Sequence, residues 1–252
     1  MNNIIVRETA GEIRAIARYA LRGNWGKVMV GYVIYFMLSV VVSDALSIIF
    51  DSASYGMEVP YLDRSITVSF VSNLYTAVTT GALILGLSSF YISFFRKKDI
   101  NSTYVFNGFE YFIKSLGLFV MISIFSFLWA LLFFIPGIIA AIRYSQAFYI
   151  LADNPNKGVF QCIDESKTLM KGNKGRFFYL MLTFIGWSLL ASIPYLIIPT
   201  TTSVILDTLI GYVAMIPLLF VYVYVFCART VFYELVSGHL IAKKEDQNNF
   251  TI

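Results

Sequence analysis

Long, nearly uncharged apolar runs recur along the chain, separated by short polar connections. The first covers about residues 26–50 and, at 1.5 Å per residue, reaches roughly 37 Å, enough to cross a ~30 Å hydrocarbon core with tilt. Further runs cover about residues 66–95, 112–135, 136–152, 177–198 and 209–232. Only 13% of the 252 residues are charged and 58% are hydrophobic, whereas a soluble domain has about 25% and 45–50%. No single aqueous core hides that much apolar surface. The expectation is an all-α polytopic transmembrane helix bundle of about six spans, one membrane domain over residues 1–240. A polar cytoplasmic tail, residues 241–252, follows it.

The runs carry their own punctuation. Pro136-Gly137 interrupts the third, and residues 138–151 give only about 21 Å of helix. The stretch 133–152 is therefore either a compact fourth span or part of a re-entrant hairpin. Pro217 predicts a kink in the sixth span. The opening residues lack the short apolar core and small-residue cleavage site of a signal peptide, so the first run reads as an uncleaved span. Two amphipathic helices are expected outside the spans, over about residues 9–22 and 157–172. Thr9 and Glu12 fit a capping box at the start of the first. Ile13, Ile16, Ala17, Ala20 and Leu21 share one face, and Arg14, Arg18 and Arg22 form a basic stripe on another. That stripe suits anionic lipid headgroups, or a helix packed on the base of the protein itself.

The basic residues set the orientation. Sixteen of the 19 fall on one side: those before the first span, after the second, after the fourth and after the sixth. The opposite side holds Arg64 alone, and Arg143 and Arg229 lie inside spans. Cytoplasmic loops collect Lys and Arg, so both termini are expected inside. This distribution also accounts for the net charge of +4 without a nucleic-acid partner.

An internal repeat is visible. Leu21-Arg22-Gly23-Asn24-Trp25-Gly26-Lys27 precedes the first span, and Met170-Lys171-Gly172-Asn173-Lys174-Gly175-Arg176 precedes the fifth. Both read apolar, basic, Gly, Asn, any residue, Gly, basic. A weaker middle copy lies at Asn101 to Lys114, giving three units that each place a surface helix before a membrane hairpin. Gly23 or Gly26 can take a positive φ and turn the chain, and Asn24 and Asn173 can cap open backbone groups. The motif is either a hinge that sets helix entry angles or a nest for a lipid phosphate. It lacks the GK[ST] of a nucleotide-binding loop.

Inside the spans the charges are few. Asp44 and Arg143 both count to the outer half of the bilayer, and they are expected to pair or to line one polar cavity with Gln146, or else to reach the headgroups separately. HExxH and GxSxG are absent, the single histidine, His239, lies beyond the last span, and Cys162 and Cys227 match no metal or redox spacing. No enzyme activity, cofactor, metal or disulfide is expected.

The segments Ile13-Arg14-Ala15, Leu21 to Trp25, Phe134-Ile135-Pro136-Gly137-Ile138, Arg143-Tyr144-Ser145, Ala147 to Pro155 and Met170 to Gly175 together resemble one group. It is the bacterial integral-membrane family catalogued as domain of unknown function nine hundred and seventy-five, common in Gram-positive bacteria. The resemblance covers about residues 8 to 236 and implies a bacterial plasma-membrane protein. It implies no established activity and no catalytic residues. Function then divides between a non-enzymatic accessory, envelope-stress or immunity-type factor and a small-solute transporter or channel using Asp44 and Arg143. The first acts through the lipid bilayer, a membrane-protein partner or a second copy.

Overall fold

The structure is a computed structural model and describes residues 4–50, 54–58, 65–197 and 203–240. The first unit begins with α1, Ala10–Leu21. Its capping box is formed in full, with the Thr9 N–H donating to Glu12 at 2.7 Å and the Glu12 N–H to Thr9 at 3.3 Å. α2, Trp25–Ile49, includes a π-helical turn at Met37–Val41. The Leu38 carbonyl in that wider turn accepts from the Tyr75 hydroxyl at 2.5 Å. α3, Phe70–Lys97, returns beside it.

Between them, β1, Ser54–Glu58, pairs antiparallel with β2, Ser65–Ser69, in register from Ser54↔Ser69 to Glu58↔Ser65. The second apolar run was expected to turn helical near residue 66, but the helix starts at Phe70. Ile66, Thr67 and Val68 are all β-branched, which favours a strand. Ser69 then caps α3, its hydroxyl accepting from the Ser72 N–H.

The second unit opens with a tight turn, Ser102–Phe106, and one helical turn, Asn107–Glu110. α4, Phe112–Leu132, and α5, Phe134–Asp153, follow, separated by the single extended residue Phe133. α5 is 20 residues long, with a break at Ser145-Gln146. The third unit consists of α6, Val159–Leu169; α7, Lys174–Ile197; α8, Val204–Ala214; and α9, Ile216–Val236. The sixth apolar run is thus two helices joined at Met215. Pro217 does not kink one long helix. It sits in the first turn of α9, where no backbone N–H is required of it. The polar tail, 241–252, lies outside the described residues.

Among the described residues, six helices are long and apolar enough to cross a bilayer: α2, α3, α4, α5, α7 and α9. The chain is a multi-pass membrane protein with an all-α bundle. Burial divides these helices into two layers. In their most apolar stretches 61, 50 and 39% of the residues of α3, α5 and α9 are buried, against 6, 11 and 11% in α2, α4 and α7. Each unit therefore sends its first span out along the periphery and brings its second back through the middle. The three inner helices run in the same direction and end at one end of the bundle, here called the charged end. Tyr91 stacks on Phe226 and Tyr149 on Tyr233, at centroid distances of 5.8 and 5.3 Å.

Each unit's surface segment packs on the second span of the preceding unit. Residues 102–110 lie on α3, α6 lies on α5, and α1 closes the ring by lying on α9. The first of these contacts is the closest. A Cβ on Gly86 would sit 1.8 Å from the Val105 carbonyl oxygen, and one on Gly108 would sit 1.8 Å from that of Ala82. Gly86→Ala should therefore cost about 2–3 kcal/mol. Gly186→Ala, where an added Cβ meets nothing within 4 Å, should be neutral or stabilising by up to about 1 kcal/mol. Thermal unfolding of the two variants in detergent distinguishes them.

Candidate functional site

The two copies of the Gly-Asn motif fold alike. Gly23 has φ +77° and Gly172 φ +84°. Asn24 N–H donates to Leu21 and Val28 N–H to Asn24, and the same bonds recur from Asn173 to Met170 and from Phe177 to Asn173. The first glycine of each copy makes the left-handed turn. Gly26 and Gly175 sit in the first turns of α2 and α7 with open space beside them. The asparagines differ. Asn24 makes no capping bond through its side chain. Asn173 is fully buried, and its carboxamide accepts from the Val6 N–H at 2.9 Å and donates to the Ile4 and Leu169 carbonyls at 2.7 Å each. It holds the N-terminal segment as a neighbouring strand would. Arg176 adds a bond to the Glu8 carbonyl at 3.0 Å. Arg22, Lys27 and Lys171 are exposed at the charged end.

α1 packs on the protein. Ala10, Ile13, Ala17 and Leu21 are buried, and the Tyr224 hydroxyl donates to the Arg14 carbonyl at 3.0 Å. Arg18 is exposed, while Arg14 is partly covered. In the other copy Ser166, which aligns with Ala17, bridges the break in α5. Its hydroxyl donates to the Arg143 carbonyl at 2.8 Å and accepts from the Gln146 N–H at 3.2 Å. A surface helix thus satisfies the backbone groups that the break opens, as buried polar groups require.

Asp44 and Arg143 form no ion pair. The Asp44 carboxylate accepts from the Tyr212 hydroxyl of α8 at 2.9 Å. The two residues differ in depth because α5 begins at Phe134, not at the Pro136-Gly137 turn. Arg143 lies about nine residues below the tip, roughly 13 Å, whereas Asp44 is about five residues from the end of α2, roughly 8 Å. Gln146 is fully buried, donating to the Ser145 hydroxyl at 2.9 Å, and belongs to the α5–α6 contact.

The strongest electrostatic feature lies where the three inner helices end. Arg96 of α3 donates through Nε to both Glu234 oxygens, at 2.8 and 3.0 Å. Through Nη1 and Nη2 it donates to Asp153 of α5, at 2.5 and 3.2 Å. The Tyr233 hydroxyl adds a bond to Asp153 at 3.0 Å, and Arg96 Nη2 reaches His239 Nδ1 at 3.0 Å. Three helix C-termini, each with its partial negative charge, converge here beside two carboxylates. One guanidinium, with its fixed fork of donors, offsets them. Glu234 is 2% exposed, so it depends on Arg96 for compensation. By sequence, Arg96 counts among the cations after the second span, and neither carboxylate stands out. The available signal was position: each residue closes the second span of its unit.

A cavity of about 310 Å3 beside this cluster is lined by Ser89, Ser93, Arg96, Asn107, Glu110 and Asp153. A shallower depression of about 520 Å3 at the charged end is lined by Asn24, Lys27, Lys98, Asp99, Asn101 and Ser102. Neither reaches Asp44 or Arg143. Burial pushes the Cys162 thiol up to about 11, which keeps it protonated at neutral pH. Among the described residues no group of three His, Cys, Asp or Glu side chains is placed to hold a metal ion.

The model of the family described as "Protein of unknown function (DUF975)" matches residues 6–140 and 131–239. The chain belongs to this family. No curated protein matches the chain, and no solved structure does. Membership of DUF975 brings no assigned chemistry, so the geometry above carries the functional reading.

Two outcomes follow from the site. Asn173→Ala should cost about 2–3 kcal/mol, since it removes three hydrogen bonds, two of them buried, and Asn24→Ala should be close to neutral; proteolysis of the N-terminal segment would rise only in the first. His239 has its pKa lowered, first by burial and then by the Arg96 guanidinium, against an opposing pull from Asp153. A histidine with a depressed folded pKa contributes stability that is present above its unfolded pKa of about 6.5 and is lost as pH falls through the lower folded value. His239→Gln should therefore flatten the acid side of the stability–pH curve, measured by thermal unfolding in buffered detergent below about pH 7.

Proposed function

We propose that this chain is a non-enzymatic accessory protein of the bacterial plasma membrane, with its charged end in the cytoplasm. It acts through anionic lipid headgroups and a membrane-protein partner or second copy. The observation that carries this reading is the packing of the three inner helices toward the charged end, where their aromatic contacts and the Arg96–Asp153–Glu234 cluster close the bundle. A solute route would have to pass that closed end, and Asp44 and Gln146 make separate contacts, Asp44 with α8 and the Gln146 N–H with Ser166 of α6. Support for the orientation and the lipid contact comes from the exposed cations Arg18, Arg22, Lys27, Lys98, Lys171 and Arg176, which share the charged end with the three helix termini.

Mild-detergent purification after in-membrane crosslinking tests this reading. The expected result is a crosslinked partner or second copy, and vesicle binding of the extracted protein that weakens as salt rises. A clean monomer, combined with solute flux through proteoliposomes that Asp44→Asn abolishes, would replace this reading with the transport one.

A further inference from the structure

The tip of the α4–α5 hairpin differs from the other two connections at the far end of the bundle. Those connections carry Asp51, Glu58, Asp63 and Arg64, or Thr200, Thr201, Thr202 and Ser203. Between Ser126 and Arg143 the chain has no charged, hydroxyl or amide side chain at all. Leu131, Leu132, Phe133, Phe134 and Ile135 are 63 to 79% exposed, so no other described part of the protein covers them. In water such a protrusion would be among the largest apolar liabilities on the molecule.

The backbone at the tip leaves fewer polar groups open than a longer loop would. Irregular chain is excluded from hydrocarbon because its polar groups go unsatisfied. Here the irregular segment is one residue long. The Phe133 N–H donates to the Trp129 carbonyl, and the Phe133 carbonyl accepts from the Gly137 N–H, both at 3.3 Å. Pro136 removes one of the donors that a helix start leaves open. The two arms touch closely, since a Cβ on Gly137 would lie 2.8 Å from the Ala130 Cβ. At the other end, Lys114 Nζ donates to the Pro155 carbonyl at 2.6 Å and fixes both arms at the charged side. From Lys114 to Phe133 the helix rises roughly 29 Å, no more than the ~30 Å hydrocarbon core itself.

We infer that this hairpin does not emerge from the bilayer: its tip, Phe133 to Ile135, is a lipid-binding surface seated among the acyl chains of the far leaflet. The inference rests on the membrane location alone and is independent of the accessory role.

The test uses the full chain in proteoliposomes, in a Cys162→Ala, Cys227→Ala background, with Phe134→Cys, Ile135→Cys and, as the aqueous reference, Asp63→Cys. A membrane-impermeant maleimide should label Asp63→Cys, and labelling of the two tip variants should be lost until detergent is added. A bimane on Phe134→Cys should be quenched by mid-chain-brominated phosphatidylcholine and unaffected by iodide in the buffer. Labelling of either tip variant at the rate of Asp63→Cys, or quenching by iodide, overturns the inference. Labelling in detergent and thermal unfolding of each variant show that the fold is retained, and Ile135→Cys decides the matter if Phe134→Cys does not accumulate.

Discussion

A single guanidinium holds the charged end of this bundle together. Because every hairpin goes out through its first helix and returns through its second, the three inner helices are parallel, and three helix C-termini meet at one place. Asp153 and Glu234 sharpen the repulsion. Arg96 answers it from the third helix, with separate edges of its fork turned to each carboxylate. The parallel stacking of Tyr91 on Phe226 and Tyr149 on Tyr233 lies on the same helices whose ends this arginine gathers. A lysine would supply a point charge without the two-sided geometry.

Much of the architecture was legible before any coordinates. Length and apolarity of the runs reported the spans, because a bilayer imposes a minimum helix length. The capping box at Thr9 was legible because it is local, set by residues three apart. A left-handed turn was legible at Gly23 or Gly26, and the repeat of the flanking residues carries it to Gly172, where the structure also has it. What escaped was long-range or depended on exact starting points. Arg96, Asp153 and Glu234 are far apart in sequence, and each has an ordinary local explanation. Asp44 and Arg143 appeared level only because α5 was counted from Pro136, two residues inside its true start. The strand at Ser65–Ser69 was hidden in an apolar run whose β-branched residues suit either a strand or a span.

The repeat explains why unlike residues sit at like places. Ala17 and Ser166 occupy the same position in two surface helices, both fully buried. The helix under Ser166 is broken and supplies an open carbonyl and N–H, so a hydroxyl is useful there. The helix under Ala17 is continuous, and a methyl suffices. Asn24 and Asn173 diverge for a related reason. Only the later copy has a free segment, the N-terminus, lying alongside it to bind.

That ring closure has a bearing on how the protein is made. α1 precedes the other described helices in the chain, yet the surface that buries Ile13 and Ala17 belongs to α9, the last of them. The bond from Tyr224 to Arg14 joins residues 210 positions apart. Until α9 reaches the membrane, the apolar face of α1 lacks its main native partner. Among the described helices, then, the earliest waits for the latest, and its docking joins the two ends of the ring.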